Sequence, residues 1–181
     1  MTDAAEVVAF WFAPGREKQW FGGGEAFDKD VEEALSAAHH RAVAGDLDSW
    51  QTTPQGCLAL CILLDQVPRN IFRGTPRAFA SDEAALAVTR HALAAGFDES
   101  LNQVERLFLY LPLEHSEDLA DQITCMRLVR SLDENPEWLR YAEAHRDIIA
   151  RFGRFPHRNA TLGRESTDEE VAFLKEPGSS F

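Results

Sequence analysis

Apolar and polar positions along this chain recur with the period of a helix. Between 25 and 44, Phe27, Val31, Leu35 and Ala38 fall on one face, and Gly45 stands where a C-terminal stop is expected. A shorter apolar stretch, 4–12, ends before Pro14-Gly15. Thr53-Pro54 supplies an N-cap and a first-turn proline for a helix that is apolar on every side from Cys57 to Leu64, the mark of a rod buried at the centre of a fold. The pattern turns polar at Asp65-Gln66, and Pro68 is expected to stop the helix. Ser81 or Thr75 begins the next one, through Ala95. A helix over 100–111 is broken at Pro112, and Ser116 caps another to about Leu132. Asn135-Pro136 repeats the cap-plus-proline signal for 137–152, and Ser166 with Glu169 has the spacing of a capping box before a last short helix. No segment alternates as a strand does. The pattern therefore predicts an all-α fold of about eight helices in antiparallel pairs, one domain over 1–181. The segment 176–181 is expected to be a flexible tail or to dock through Phe181.

Composition narrows the classes of partner. The formal net charge is −12 over 181 residues, which argues against a nucleic-acid or anionic-membrane binder. The charge is uneven, because Arg140 to Arg164 carries six arginines against Glu143 and Asp147, a local +4 that leaves −16 elsewhere. A small anion remains a candidate ligand there. Three cysteines, Cys57, Cys61 and Cys125, sit among apolar residues and read as free buried thiols, which suits a reducing, cytoplasmic setting. No metal is expected at Cys57 and Cys61, since no second Cys/His pair accompanies them, and no cofactor is implied. No apolar run approaches a membrane span. His39 and His40 diverge on their helix and read as solvated or capping groups. Phe10, Trp11, Phe12, Trp20 and Phe21 read as anchors for the N-terminus, with an aromatic ligand platform as the sharper reading.

Several motifs together resemble a known family, the bacterial and fungal DUF924 proteins. The matching pieces are Val-Val-Ala-Phe-Trp-Phe at 7–12 with Trp20-Phe21, Leu-Asp-Gln-Val-Pro-Arg-Asn-Ile-Phe-Arg at 64–73, Arg-Ala-Phe-Ala-Ser-Asp at 77–82, Tyr-Leu-Pro-Leu-Glu-His-Ser-Glu-Asp at 110–118, His145 through Asn159, and Leu-Gly-Arg-Glu-Ser-Thr at 162–167. Val67 stands where a Phe is usual in the family and Glu114 where a Met is common. The resemblance implies an all-α fold similar to the tetratricopeptide superfamily. It implies no activity, cofactor or catalytic residue.

The chemistry must come from two polar knots, each with Pro followed by Arg-Asn or His-Arg-Asn. Arg69, Asn70, Arg73, Arg154, His157, Arg158 and Asn159, with His115 and Glu117 from the segment between, combine guanidinium groups with helix ends, a chemistry suited to a carboxylate or phosphate. The competing reading is a self-satisfied network that braces the fold, with Asp65, Glu117 and Asp118 as counter-ions and Asp147 paired to Arg151 on one helix face. The favoured function is a small anionic ligand held at this cluster. A tetratricopeptide-like scaffold for peptides is the first alternative. An acid–base or metal-assisted hydrolase using His115 or His157 is the second, although no Gly-rich phosphate loop, zinc motif or nucleophile elbow is present. Ser116 reads as a cap more readily than a nucleophile.

Overall fold

The computed structural model describes residues 2–132 and 135–179, and among these every regular element is helical. Helix α1 is Ala4–Trp11, α2 Gly24–Val43, α3 Pro54–Cys61, α4 Val67–Ile71, α5 Asp82–Ala94, α6 Gln103–Glu114, α7 Leu119–Val129, α8 Pro136–Phe152, α9 Asn159–Leu162 and α10 Asp168–Phe173. Helix α3 lies at the centre, packed on α1, α5 and α6, while α2 covers α4 and the chain continues outward through α7 and α8. Residues Cys57–Leu64, in α3 and the turn that continues it, are all buried, as an all-round apolar helix requires. The three thiols are free and buried. Phe181 lies outside the described residues.

Pro68 does not stop the central helix. A π turn at Ile62–Gln66 joins α3 to α4 without a break, and Pro68 enters near the start of α4. The ring removes the N–H that would have bonded the Leu64 carbonyl four residues back. Ser81 Oγ donates to that carbonyl instead. The Leu63 carbonyl accepts from His39 Nδ1 at 2.8 Å. His39 is therefore buried, and desolvation lowers its pKa; it is not the solvated or capping residue expected from the sequence. The extra residue of a π turn rotates the side chains that follow, and here it places Asp65 and Gln66 inside the fold rather than at a helix end.

Other local expectations shift by smaller amounts. Pro112 is accommodated inside α6, which runs on to Glu114. Asp118, not Ser116, caps α7 by accepting from the Ala120 N–H. The C-terminal capping box is Thr167 with Glu170, one residue beyond the Ser166 and Glu169 pair. Arg151 pairs with Glu169, and Asp147 with Arg146, so the expected Asp147–Arg151 pair does not form. Asn135 caps α8 as expected, accepting from the Glu137 N–H.

Candidate functional site

The π turn, the C-terminal end of α6 and the segment after α8 meet below a cleft of about 950 Å³. Its floor is polar: Gln66, Arg69 and Asn70 from the π turn and α4, Glu114 and His115 from α6, and His157 and Arg158. Its apolar lining comes from Trp20 and Phe21, from Trp138 and Tyr141 of α8 beside His145, and from Leu107 and Leu111 of α6. Trp20 is fixed by donating Nε1–H to the Trp11 carbonyl at 2.9 Å and by packing edge-on to Phe108. The N-terminal aromatics thus anchor the N-terminus to the core, and two of them, Trp20 and Phe21, also line the cleft. A smaller cleft of about 410 Å³ opens beside the first and shares His115 and Arg158 with it.

Asp65 is the hub of the floor. Its side chain, 1 % exposed, accepts from His115 Nδ1 at 2.8 and 3.0 Å, from Gln66 Nε2 at 2.6 Å, and lies 3.1 Å from Arg69 Nη1. Burial alone would push this carboxyl up, but Arg69 and then His115 outweigh it and hold the pKa well below the usual range. Arg69 in turn donates bidentately to Asp82 at 2.8 and 2.9 Å and to the Asp65 carbonyl. An ionised Asp65 fixes the tautomer of its neighbour, because the imidazole must present Nδ1–H to the carboxylate. His115 Nε2 then carries the lone pair, and among the described residues no protein group meets it. Desolvation, and next the Arg69 charge, lower the His115 pKa, so the ring is neutral near pH 7.

Glu114, the preceding residue, also reaches this floor. It is buried, with His145 Nδ1 at 3.4 Å and Cys125 Sγ at 3.9 Å as its partners, and desolvation together with the Asp65 charge pushes its pKa up to about 8. No strong donor compensates a charge here, so the carboxyl is held as the neutral acid. His145 donates Nδ1–H to the Tyr141 carbonyl at 2.9 Å, and burial drives it down to about 3; His157 is driven to about 4 by burial and by Arg158.

The arginines divide sharply. Of the six between 140 and 164, five have a carboxylate oxygen within 3.2 Å: Arg140 with Glu137, Arg146 with Asp147, Arg151 with Glu169, Arg154 with Glu170 and Arg164 with Glu117. Arg158 does not. It is 7 % exposed, sandwiched between the Phe79 and Phe155 rings at 4.8 and 4.5 Å, and among the described residues its one side-chain polar contact is a 3.4 Å hydrogen bond from Nη1 to Asp82 Oδ2, an oxygen that Arg69 already holds. Its Nε is buried without a partner. Burial, and then the Arg69 charge, push its pKa down to about 10, still a cation at pH 7.

Among the nine residues expected to form the site, Arg69, Asn70, Arg73, His115, His157 and Arg158 line the main cleft. Arg73 does so at the rim, bound to Asp28 at 2.7 and 2.8 Å. Glu117 faces the smaller cleft, where it binds Arg164 and the Phe155 N–H. Arg154 is committed to Glu170, and Asn159 to Arg164 and Ser166, both away from the main cleft. Sequence reasoning gave no site role to Glu114, Trp138 or Tyr141. Glu114 had a signal, an acidic residue closing the apolar run Leu109-Tyr-Leu-Pro-Leu. Among the described residues, no group of three His, Cys, Asp or Glu side chains is arranged to hold a metal, and no helix is long and apolar enough to cross a membrane.

Comparisons with known proteins agree on the relationship. No curated protein matches the chain. A solved structure of a protein of unknown function, ATU0120 from Agrobacterium tumefaciens, superposes with a TM-score of 0.90 at 42% sequence identity, covering 95% of this chain and 96% of that one. The same helical fold is therefore present in both. The family model described as "Bacterial protein of unknown function (DUF924)" matches residues 7–178, nearly the whole sequence, and the chain belongs to that family.

Proposed function

We propose that this protein binds a small amphipathic carboxylate, its anionic group on Arg158 and its apolar or aromatic body among Trp20, Phe21, Trp138 and Tyr141. The observation that carries the reading is the under-compensated guanidinium. Arg158 offers five N–H donors and uses one, in a long bond to an oxygen already claimed. A buried cation left in that state is unfavourable, and a carboxylate that accepts two parallel bonds removes the deficit. The cleft volume lies in the range of small-molecule sites, and the mixture of apolar walls with a few convergent polar groups is typical of them. The rest of the cluster, Asp65 with Arg69 and Glu117 with Arg164, braces the fold. The tetratricopeptide-like scaffold has less behind it, because the large exposed apolar side chains are spread over Phe21 before α2, then α2, α7, α8, α9, α10 and Leu174 after it.

The test compares 3-phenylpropionate with the neutral 3-phenylpropanamide in thermal unfolding of the purified protein. At about 100 times its dissociation constant the carboxylate adds roughly 2.7 kcal/mol, several degrees of midpoint. The amide gives a much smaller shift, and Arg158→Gln removes the difference between the two. Equal shifts from acid and amide, or a difference that survives in Arg158→Gln, would refute the reading.

A further inference from the structure

We propose that the cleft is also an acid–base catalytic site, in which His115 Nε2 takes a proton from the carbon beside a carbonyl of the bound carboxylate while Glu114 gives its own proton to the carbonyl oxygen. This rests on the binding reading above. The reaction class is keto–enol proton transfer on a 2-oxo acid with an aryl group at C3. The aryl group meets the aromatic lining, the carboxylate meets Arg158, and the C3–H between ring and ketone is the acidic bond.

Three features of the site support it. First, the bond from His115 Nδ1 to Asp65 leaves Nε2 as the basic nitrogen of a ring that lines the cleft. Second, the neighbouring residue, Glu114, lines the same cleft. Its contacts to His145 and Cys125, 3.4 and 3.9 Å, are too long to claim its proton. Adjacent helical residues normally diverge, but these two meet at a common neighbour: Glu114 Oε1 lies 3.4 Å from His145 Nδ1, and the His115 and His145 ring centroids are 6.2 Å apart. Third, the side chains that carry covalent chemistry elsewhere are engaged otherwise. Ser116 Oγ donates to Asp121 at 2.7 Å and accepts from the Asp118 N–H, and the three cysteines are buried with burial pushing their thiols up. A neutral base beside a neutral acid, set apart by their surroundings, is the arrangement proton transfer uses.

The step balances without a co-reactant. The C3–H bond breaks and its electron pair becomes the C2=C3 bond, the carbonyl π pair takes up the Glu114 proton, and the enol forms. His115 is left as imidazolium and Glu114 as carboxylate, and exchange with solvent restores both. Run in reverse in D2O, His115 returns a deuteron to C3.

The pH dependence follows from the groups around the pair. His115 faces Asp65 and Arg69 from the π turn and α4, Arg158 and His157 from the segment after α8, and His145 of α8; Glu114 faces Asp65, Cys125 of α7 and His145. The rate rises as His115 loses its proton below its ordinary pKa of 6.5 and falls as Glu114 ionises at about 8.

The experiment follows the C3 protons of phenylpyruvate by proton NMR in D2O with the full chain, while quenching of tryptophan fluorescence reports binding of the same probe. Wild type accelerates exchange over buffer, and His115→Gln loses at least about 100-fold while binding stays within a few-fold. Glu114→Gln is slower and lacks the alkaline limb, a readout that a bracing role would not move and that remains available if His115→Gln fails to fold. Binding without exchange above buffer, or full exchange in His115→Gln, overturns the catalytic proposal and leaves the binding reading intact. Absence of phenylpyruvate binding overturns the cleft reading, and the catalytic proposal with it.

Discussion

Replacing Asp65 by Asn tests whether a single buried carboxylate organises the floor of the cleft. The change keeps the shape and removes the charge on which His115, Gln66 and Arg69 converge at 2.6 to 3.1 Å. Breaking a buried ion pair from one side typically costs about 3–5 kcal/mol. Arg69 keeps its bidentate bond to Asp82 and is 19% exposed, which places the expected loss near the lower end, about 3 kcal/mol. For a chain of this length that corresponds to a fall of roughly 6–12 °C in midpoint. The sign with pH is fixed as well. Because the folded carboxyl is held below its unfolded value, its contribution is fully present above about pH 4 and is lost as the pH falls further. Thermal and urea unfolding of both proteins between pH 2.5 and 8 should show a constant gap at neutral pH that narrows in acid. A gap under about 1 kcal/mol at pH 7, far below a broken buried pair, or one that widens on acidification, would refute the reasoning.

Glu114 has the opposite sign. Its folded pKa is raised to about 8, so folding takes up a proton between its unfolded value and pH 8, and wild-type stability should decline over that range by up to about 1.4 kcal/mol per pH unit relative to Glu114→Gln. Parallel midpoint-versus-pH curves for the two proteins would contradict this. Ser81→Ala leaves the Leu64 carbonyl without its donor and should cost about 1–3 kcal/mol in urea unfolding, with a near-neutral result showing that the π turn does not need it. A Cβ on Gly56 would lie 2.0 Å from the Trp50 carbonyl oxygen, a backbone atom with little freedom to move, so Gly56→Ala should destabilise by about 3 kcal/mol or more. Unchanged stability there would mean that the turn before α3 is not fixed as described.

The helical architecture was largely legible because its signals are local. Thr53-Pro54 and Asn135-Pro136 name helix starts, and the all-apolar run from Cys57 to Leu64 names the buried rod. The π turn was not legible. It depends on His39 and Ser81, far away in sequence, to satisfy the Leu63 and Leu64 carbonyls, and without them Pro68 reads as a stop. The same limit applies to the site. Residue types put Arg158 and Arg154 on equal footing, four apart in one basic segment. What separates them is the position of Glu170 beside one and the Phe79–Phe155 sandwich around the other, both set by tertiary packing. Glu114 was passed over because its elevated pKa comes from burial and from Asp65, 49 residues away in sequence, and neither can be read from its neighbours.

Whether Arg158 binds a ligand or braces the fold can be seen in a crystal structure of the protein soaked with 3-phenylpropionate. A ligand-binding Arg158 places the carboxylate within about 3 Å of its guanidinium, with the phenyl ring between Trp20 and Trp138. An empty cleft at saturating ligand, or a carboxylate bound elsewhere with Arg158 still turned to Asp82, would contradict it.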